Sequence, residues 1–370
     1  MARKMEDDKK MREWCREIPK IELHAHLNGS IRDSTLLELA RGLGENGIIV
    51  LEDVEPVILK SSRTLPECFE LFDLYHIIAT DHSTVTRITK EVVEDFASEN
   101  VIYLELRTTP KHNEAKGMTK DSYMKAVMQG LNNVDEVEVV LNSTQTSSNE
   151  EPETVINSFG NEIKQTRKIH VRILLSIDRR QTTESAMETV DLALKLRDSG
   201  VVGIDLSGNP VVGQWSTFLP ALKYAKEQGL SVTLHCGEVP NQEEIQAMLE
   251  FQPERVGHAC CLDDSHWKLL KSSKIPVEIC LTSNVRTECV SSLDDHHFAD
   301  LYNEMHPMAI CTDDCGLFST SLSHEYYIAG TTFGLSRDEL YDFAKNAVKL
   351  SFVEDKVKKE LLKIFDSYKR

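Results

Sequence analysis

Polar residues with metal-ligand chemistry sit at the ends of apolar, β-like runs in this chain. His24 and His26 close the run Ile21–His26, and His235 closes Leu230–His235 with Glu238 just beyond it. Asp313 and Asp314 follow Met308–Thr312. Imidazole nitrogen and carboxylate oxygen suit a borderline divalent ion such as zinc, which activates water when one coordination position stays open. In an extended run the period of two puts Glu22, His24 and His26 on one face, so two imidazoles can chelate a single ion. Gly237 permits a sharp turn that swings the Glu238 carboxylate back toward His235. Two adjacent acids repel unless a cation is near. Since neighbouring side chains point different ways, one of Asp313 and Asp314 is expected on the metal and the other toward a substrate. His258, ending another apolar run, suits water orientation and general-base work, because its unperturbed pKa lies near neutrality. His266, His296, His297, His306 and His324 lack strand-tip positions. They are read as structural or solvated, with His296 and His297 on a loop or helix surface.

Such residues need a scaffold that brings strand ends together. Eight β-like runs alternate mostly with helical patterns: Ile21–His26, Val101–Leu106, Val171–Ile177, Val201–Leu206, Leu230–His235, Arg255–Ala259, Ile275–Leu281 and Met308–Thr312. Ser34–Leu43, Ser185–Leu196 and Glu243–Phe251 carry the 3.6-residue period. This pattern predicts an α/β fold, a (β/α)8 TIM barrel with additional helices, with a doubly wound open sheet as the competing arrangement. The barrel is preferred because the chemistry falls at C-terminal strand ends, where barrel enzymes keep it. A single domain is expected over 1–370, with the barrel at about 18–335 and closing helices at 336–370. Leu340, Phe343, Ala344, Ala347 and Val348 form the apolar face of the first of these. Asn142–Thr154 is polar and aperiodic and reads as a surface loop.

A formal net charge of −18 offers no basic stripe for nucleic acid. No apolar stretch approaches the roughly 20 residues of a membrane span. The first residues, Met1 to Lys10, lack the apolar core of a secretory signal. Nine cysteines without a C-x-x-C pair read as reduced thiols. A monomeric protein of the cytoplasm (cytosol) is the resulting expectation, with no nucleic-acid or membrane partner.

The segments PKIELHAHLNGS, SGNP at Ser207–Pro210, HCGE, VGH at Val256–His258, LTSN at Leu281–Asn284 and CTDD resemble the adenosine/AMP deaminase family of metal-dependent (β/α)8 hydrolases. That resemblance implies one Zn2+ per chain on His24, His26, His235 and Asp313. It implies that Glu238 protonates purine N1 and that His258 orients and deprotonates the attacking water. Asp314 resembles the contact to purine N7, and Gly208 supplies backbone to the base. The H-x-E and P-C-x-x-C signature of the other zinc deaminases is absent.

Adenosine deaminases carry Asp at the position of Asn28, where it meets the ribose 5′-hydroxyl. A carboxylate there would repel a 5′-phosphate, whereas an amide would not. The likeness to the adenosine deaminase-like branch of the family therefore implies a purine nucleotide substrate, N6-methyl-AMP going to IMP and methylamine. It implies nucleotide contacts from His26, Asn28, His76, Thr108, Thr109, Pro110, Lys111 and Asp178. Of Arg179 and Arg180, at least one is read as a solvated turn residue. An ordinary adenosine deaminase, another metal-dependent hydrolase and a non-catalytic purine-binding protein remain as alternatives.

Overall fold

The computed structural model describes residues 2–47, 49–59, 71, 75, 77, 81–141 and 167–368. His76 and the segment 142–154, both singled out above, lie outside them. The strands are β1 (Lys20–His26), β2 (Val101–Thr108), β3 (Glu138–Val140), β4 (Lys168–Asp178), β5 (Val201–Ser207), β6 (Ser231–Cys236), β7 (Arg255–His258), β8 (Val277–Ile279) and β9 (Met308–Ile310). All pair in parallel in the order β1-β2-β4-β5-β6-β7-β8-β9, while β3 pairs with β4 off this path.

The sheet closes on itself. Ala25 bridges Asp313 in parallel, the Asp313 N–H donates to the His24 carbonyl at 2.7 Å, and the His26 N–H donates to the Asp313 carbonyl at 3.1 Å. Eight strands in a closed parallel ring with helices outside are the (β/α)8 barrel expected from the sequence. The strands are buried on both faces, as helix-covered parallel strands must be, which explains their continuous apolar reading. β3 was not anticipated: it is only three residues long and its first residue is exposed. Leu281, expected at the end of β8, instead begins a short helix, Leu281–Arg286.

The helical readings fall within Asp33–Glu45, Thr183–Lys195 and Gln242–Glu250, apart from one-residue overruns at Leu196 and Phe251. Their starts follow from capping chemistry: Thr182 accepts from the Ser185 N–H and Asn241 from the Glu244 N–H. Near the C-terminus, Ser336 and Glu339 form a capping box that starts Arg337–Ala347. That helix buries Leu340, Tyr341, Ala344 and Ala347 and packs against β1 and β9, covering the seam where the barrel closes. Asp355–Ser367 buries Val357, Leu361 and Phe365. No described helix is long and apolar enough to cross a membrane.

Gly203 in β5 shows how tightly the wall is packed. A Cβ there would lie 2.6 Å from the Ser231 carbonyl oxygen and 3.0 Å from Leu174 Cδ2. Gly203→Ala is expected to destabilise the fold by about 1–3 kcal/mol, the usual cost of overpacking. Urea unfolding checks this, and an unchanged midpoint would contradict it.

Candidate metal centre and active site

Closure of the barrel makes neighbours of its first and last strands, and the expected ligands meet there. His24 Nε2 lies 3.1 Å from His235 Nε2, and His26 Nε2 lies 3.0 Å from the same atom. Asp313 Oδ1 is 3.4 Å from both His24 Nε2 and His26 Nε2. Four donors on a tetrahedral zinc at about 2.0–2.1 Å stand about 3.3 Å apart, so these spacings fit one small ion.

The second nitrogens explain why the cluster demands positive charge. His24 Nδ1–H donates to Glu278 Oε2 at 2.7 Å, and His235 Nδ1–H donates to Asp205 Oδ1 at 3.0 Å. In the neutral form that a metal ion requires, each ring then turns an Nε2 lone pair inward, toward the other and toward a carboxylate; without an ion a proton supplies the positive charge instead. Carboxylate–histidine pairs of this kind orient metal ligands and raise their basicity. Burial would lower His235, but Asp205 outweighs it and holds the ring up to about 9. Burial, with His235 adding to it, pushes His26 down to about 3. Burial also opposes charge on Asp313, yet the histidines around it hold its carboxyl well below the ordinary range.

Beneath this cluster runs a buried ionic network that sequence reading missed. Arg107 donates to Asp205 and Glu278, while Arg255 donates to Glu278 and Glu105. Ser176 and Thr233 add hydroxyl donors to Asp205 and Glu278. The available signal was a lone acid inside an apolar strand, as in Ile204-Asp205-Leu206 and Val277-Glu278-Ile279, because a buried charge is tolerated only when paired. Glu22 is a further tie, accepting from the His24 N–H at 2.7 Å and from the Thr312 N–H at 3.0 Å. Ser283 donates to Asp313 Oδ2 at 2.7 Å.

Glycines make room for these groups. A Cβ at Gly257 would stand 2.7 Å from His24 Cε1, and one at Gly29 would overlap Asp314. Gly237, at φ +73, makes the expected turn to Glu238. Burial, reinforced by Asp313 and opposed by His235, pushes the Glu238 carboxyl up to about 7. Glu238 Oε1 faces His258 Nε2 at 3.8 Å.

His26, Asn28, Thr108, Thr109, Asp178, Gly208, His235, Glu238, His258, Asp313 and Asp314 line one cavity that is open at its mouth. Asn28 Oδ1, His258 Nε2 and Asp314 Oδ1 are buried there without a hydrogen-bond partner among the described residues. Pro110 and Lys111 lie outside the cavity wall. Burial, aided by nearby Arg180, lowers the Lys111 ammonium to about 8. Arg180 is half exposed at the rim and holds Asp178, whereas Arg179 is buried against Glu244. His296 and His297 are not on the surface: both are buried, at 2% and 8% exposure. No hydrophobic period marks that loop, and acidic neighbours in sequence do not show what it folds against.

The adenosine deaminase family model matches residues 19–368. The chain is 62% identical over 355 residues to an N6-mAMP deaminase of Arabidopsis thaliana, covering 96% of this chain and 98% of that one. It is 37% identical over 368 residues to the N6-methyl-AMP deaminase of Homo sapiens, covering 95% and 94%. The crystal structure of Arabidopsis ADAL complexed with IMP superposes with a TM-score of 0.89 at 61% identity, covering 96% of this chain and 98% of that one. The chain belongs to the adenosine deaminase family. Adenosine deaminase family enzymes are metal-dependent, and the converging His and Asp ligands provide the metal site.

Glu278→Gln keeps the shape of the side chain but removes the charge that His24, Arg107 and Arg255 share. Metal affinity is expected to fall about 10–100-fold, measured by competition with a chromogenic chelator. Stability is expected to fall by about 3–5 kcal/mol, as when one partner of a buried ion pair is removed. Wild-type metal affinity in the variant would show that the network does not orient His24.

Proposed function

We infer that this protein is a zinc-dependent hydrolytic deaminase of N6-substituted purine nucleoside monophosphates, converting N6-methyl-AMP to IMP and methylamine. The observation that carries this is a proton-bearing carboxyl, Glu238, held beside a four-ligand metal cluster at the mouth of a deaminase-family barrel. Substrate identity rests on the 62% and 37% relatives, which carry that activity in their names, and on the related IMP complex.

Three imidazole nitrogens and one carboxylate oxygen favour zinc, one ion per chain, on His24, His26, His235 and Asp313. When bound, zinc supplies Lewis acidity that brings the pKa of water toward about 7. The remaining work falls to side chains. Glu238 donates its proton to purine N1, which breaks ring conjugation and opens C6 to water held beside His258. Collapse at C6 expels methylamine. Of the two water protons, one leaves with the amine and the other restores Glu238. Asp314 is pushed well up by burial and by the charges of Asp313 and Glu238, so it keeps a proton to donate to N7. Gly208, at φ +99, turns its backbone toward the base.

The nucleotide end is the part of the cavity lined by Asn28, Thr108, Thr109 and Arg180, with Lys111 close enough to Arg180 to feel its charge. Thr108 Oγ1 shares a hydrogen bond with Tyr123 Oη at 2.7 Å, which holds its hydroxyl in place. Asn28 adds an amide where a carboxylate would repel phosphate. His76, Pro110 and Asp178 complete the proposed contact set.

Comparing turnover of N6-methyl-AMP, AMP and adenosine tests this reading. N6-methyl-AMP should be the best substrate, and activity on adenosine alone would overturn it. Glu238→Gln should lose about 10²–10⁴-fold in kcat while keeping its metal, the range for a missing general acid. Asn28→Asp should raise KM for the nucleotide more than for the nucleoside. A nucleotide KM unchanged in that variant would remove Asn28 from the phosphate end.

A further inference from the structure

His258 is backed by a chain of hydrogen bonds in which each link permits only one direction. The Phe298 backbone N–H donates to His296 Nδ1 at 3.0 Å. A backbone amide can only donate, so His296 Nδ1 is an acceptor and the ring proton sits on Nε2. Burial keeps this ring neutral, pushing its pKa well below the ordinary value. His296 Nε2 lies 3.2 Å from Asn284 Oδ1, so that oxygen accepts. The Asn284 amide nitrogen then faces His258 Nδ1 at 2.9 Å and, being a donor only, makes Nδ1 an acceptor. The neutral His258 ring is left with its hydrogen on Nε2. That atom is buried in the cavity wall without a partner among the described residues.

The adjacent His297 acts on the same residue through the backbone. Its Nε2–H donates to the His258 carbonyl at 2.7 Å, where the chain takes the left-handed conformation at φ 66. His258 is therefore held at both its backbone and its far ring nitrogen.

We propose that Asn284 and His296 are positioning residues that fix the tautomer of His258, so that it meets the reacting water as an Nε2–H hydrogen-bond donor. This rests on the deaminase reading and deepens it. His258 orients oxygen and stabilises negative charge developing on it, in place of the proton-accepting role expected from sequence. Asn284 and His296 act on the reaction only through His258.

The test is two-bond 1H–15N correlation of histidine rings in the full-length, metal-loaded protein, combined with kinetics on N6-methyl-AMP. Wild-type His258 should show the Nε2–H pattern. Asn284→Asp places an acceptor-only carboxylate against Nδ1, so His258 should move its hydrogen to Nδ1. kcat should then fall about 10²–10⁴-fold, the range for losing such a group, with KM changed only a few-fold. His296→Leu frees Asn284 to turn over, and both tautomers of His258 should appear together with a lower kcat. An Nδ1–H pattern in the wild type would overturn the proposal, as would an unchanged His258 pattern in either variant. Because the spectrum needs no turnover, failure of the wild type on N6-methyl-AMP would count against the substrate reading alone.

Discussion

Three imidazole nitrogens and a carboxylate oxygen crowd to within 3.0–3.4 Å, and whenever they are neutral at least two of those imidazoles turn lone pairs inward. Such an arrangement is repulsive unless positive charge sits at its centre. Most of the surrounding structure serves to sustain it. Glu278 and Asp205 take the outer ring hydrogens, which directs the inner lone pairs at the ion. Two anions buried for that purpose need their own cations, and Arg107 supplies one from β2 across the barrel interior, Arg255 the other from β7 beside β8. The arginines are nearly inaccessible, so the desolvation they incur is balanced only because every charge is shared among several partners. A core that could have been aliphatic is ionic because the metal ligands above it require oriented carboxylates.

Barrel closure is the geometric counterpart. His24 and Asp313 are separated by nearly the whole chain, yet a direct backbone hydrogen bond joins them across the β1–β9 seam. Glu22 reinforces that seam by binding the N–H groups of both His24 and Thr312. The strand ends then bend sharply: His258, Ala259 and Asp313 all take positive φ although none is glycine. Backbone strain of this kind persists where the surroundings over-determine it, and at a strand tip it aims a side chain inward over the barrel mouth. Gly257, just before His258 on β7, is the complementary device, with no Cβ to strike His24 across the barrel mouth.

Much of this was legible in the sequence for a definite reason. Polar residues at strand tips interrupt apolar runs, so the proposed ligands His24, His26, His235 and Asp313 stand out against their neighbours. The eight barrel strands were visible because parallel strands buried on both faces read as continuous apolar segments. The supporting layer was much harder to see. Glu278, Asp205 and Arg255 lie within strands, and their partners are 23 to 171 residues away in sequence. No local period marks such pairs. His296 and His297 were misplaced on the surface for a related reason, since acidic neighbours in sequence say nothing about what the loop folds against.

Three acids at the mouth, Glu238, Asp313 and Asp314, start from nearly the same intrinsic chemistry and end in different states. All are pressed upward by burial, and a small buried volume cannot hold three unpaired negative charges. The histidines around Asp313 settle which one ionises, and its charge then raises the other two. In the proposed mechanism the anion serves as the metal's ligand, and the two retained protons meet the N1 and N7 lone pairs of the purine. Environments that push similar groups apart are how one fold obtains acid and base roles at a single pH. On this view the substrate's ring nitrogens are recognised by the same charge competition that assembles the metal site. Disturbing the His24–Asp313 contact would therefore weaken the hold on the base as well as on the ion.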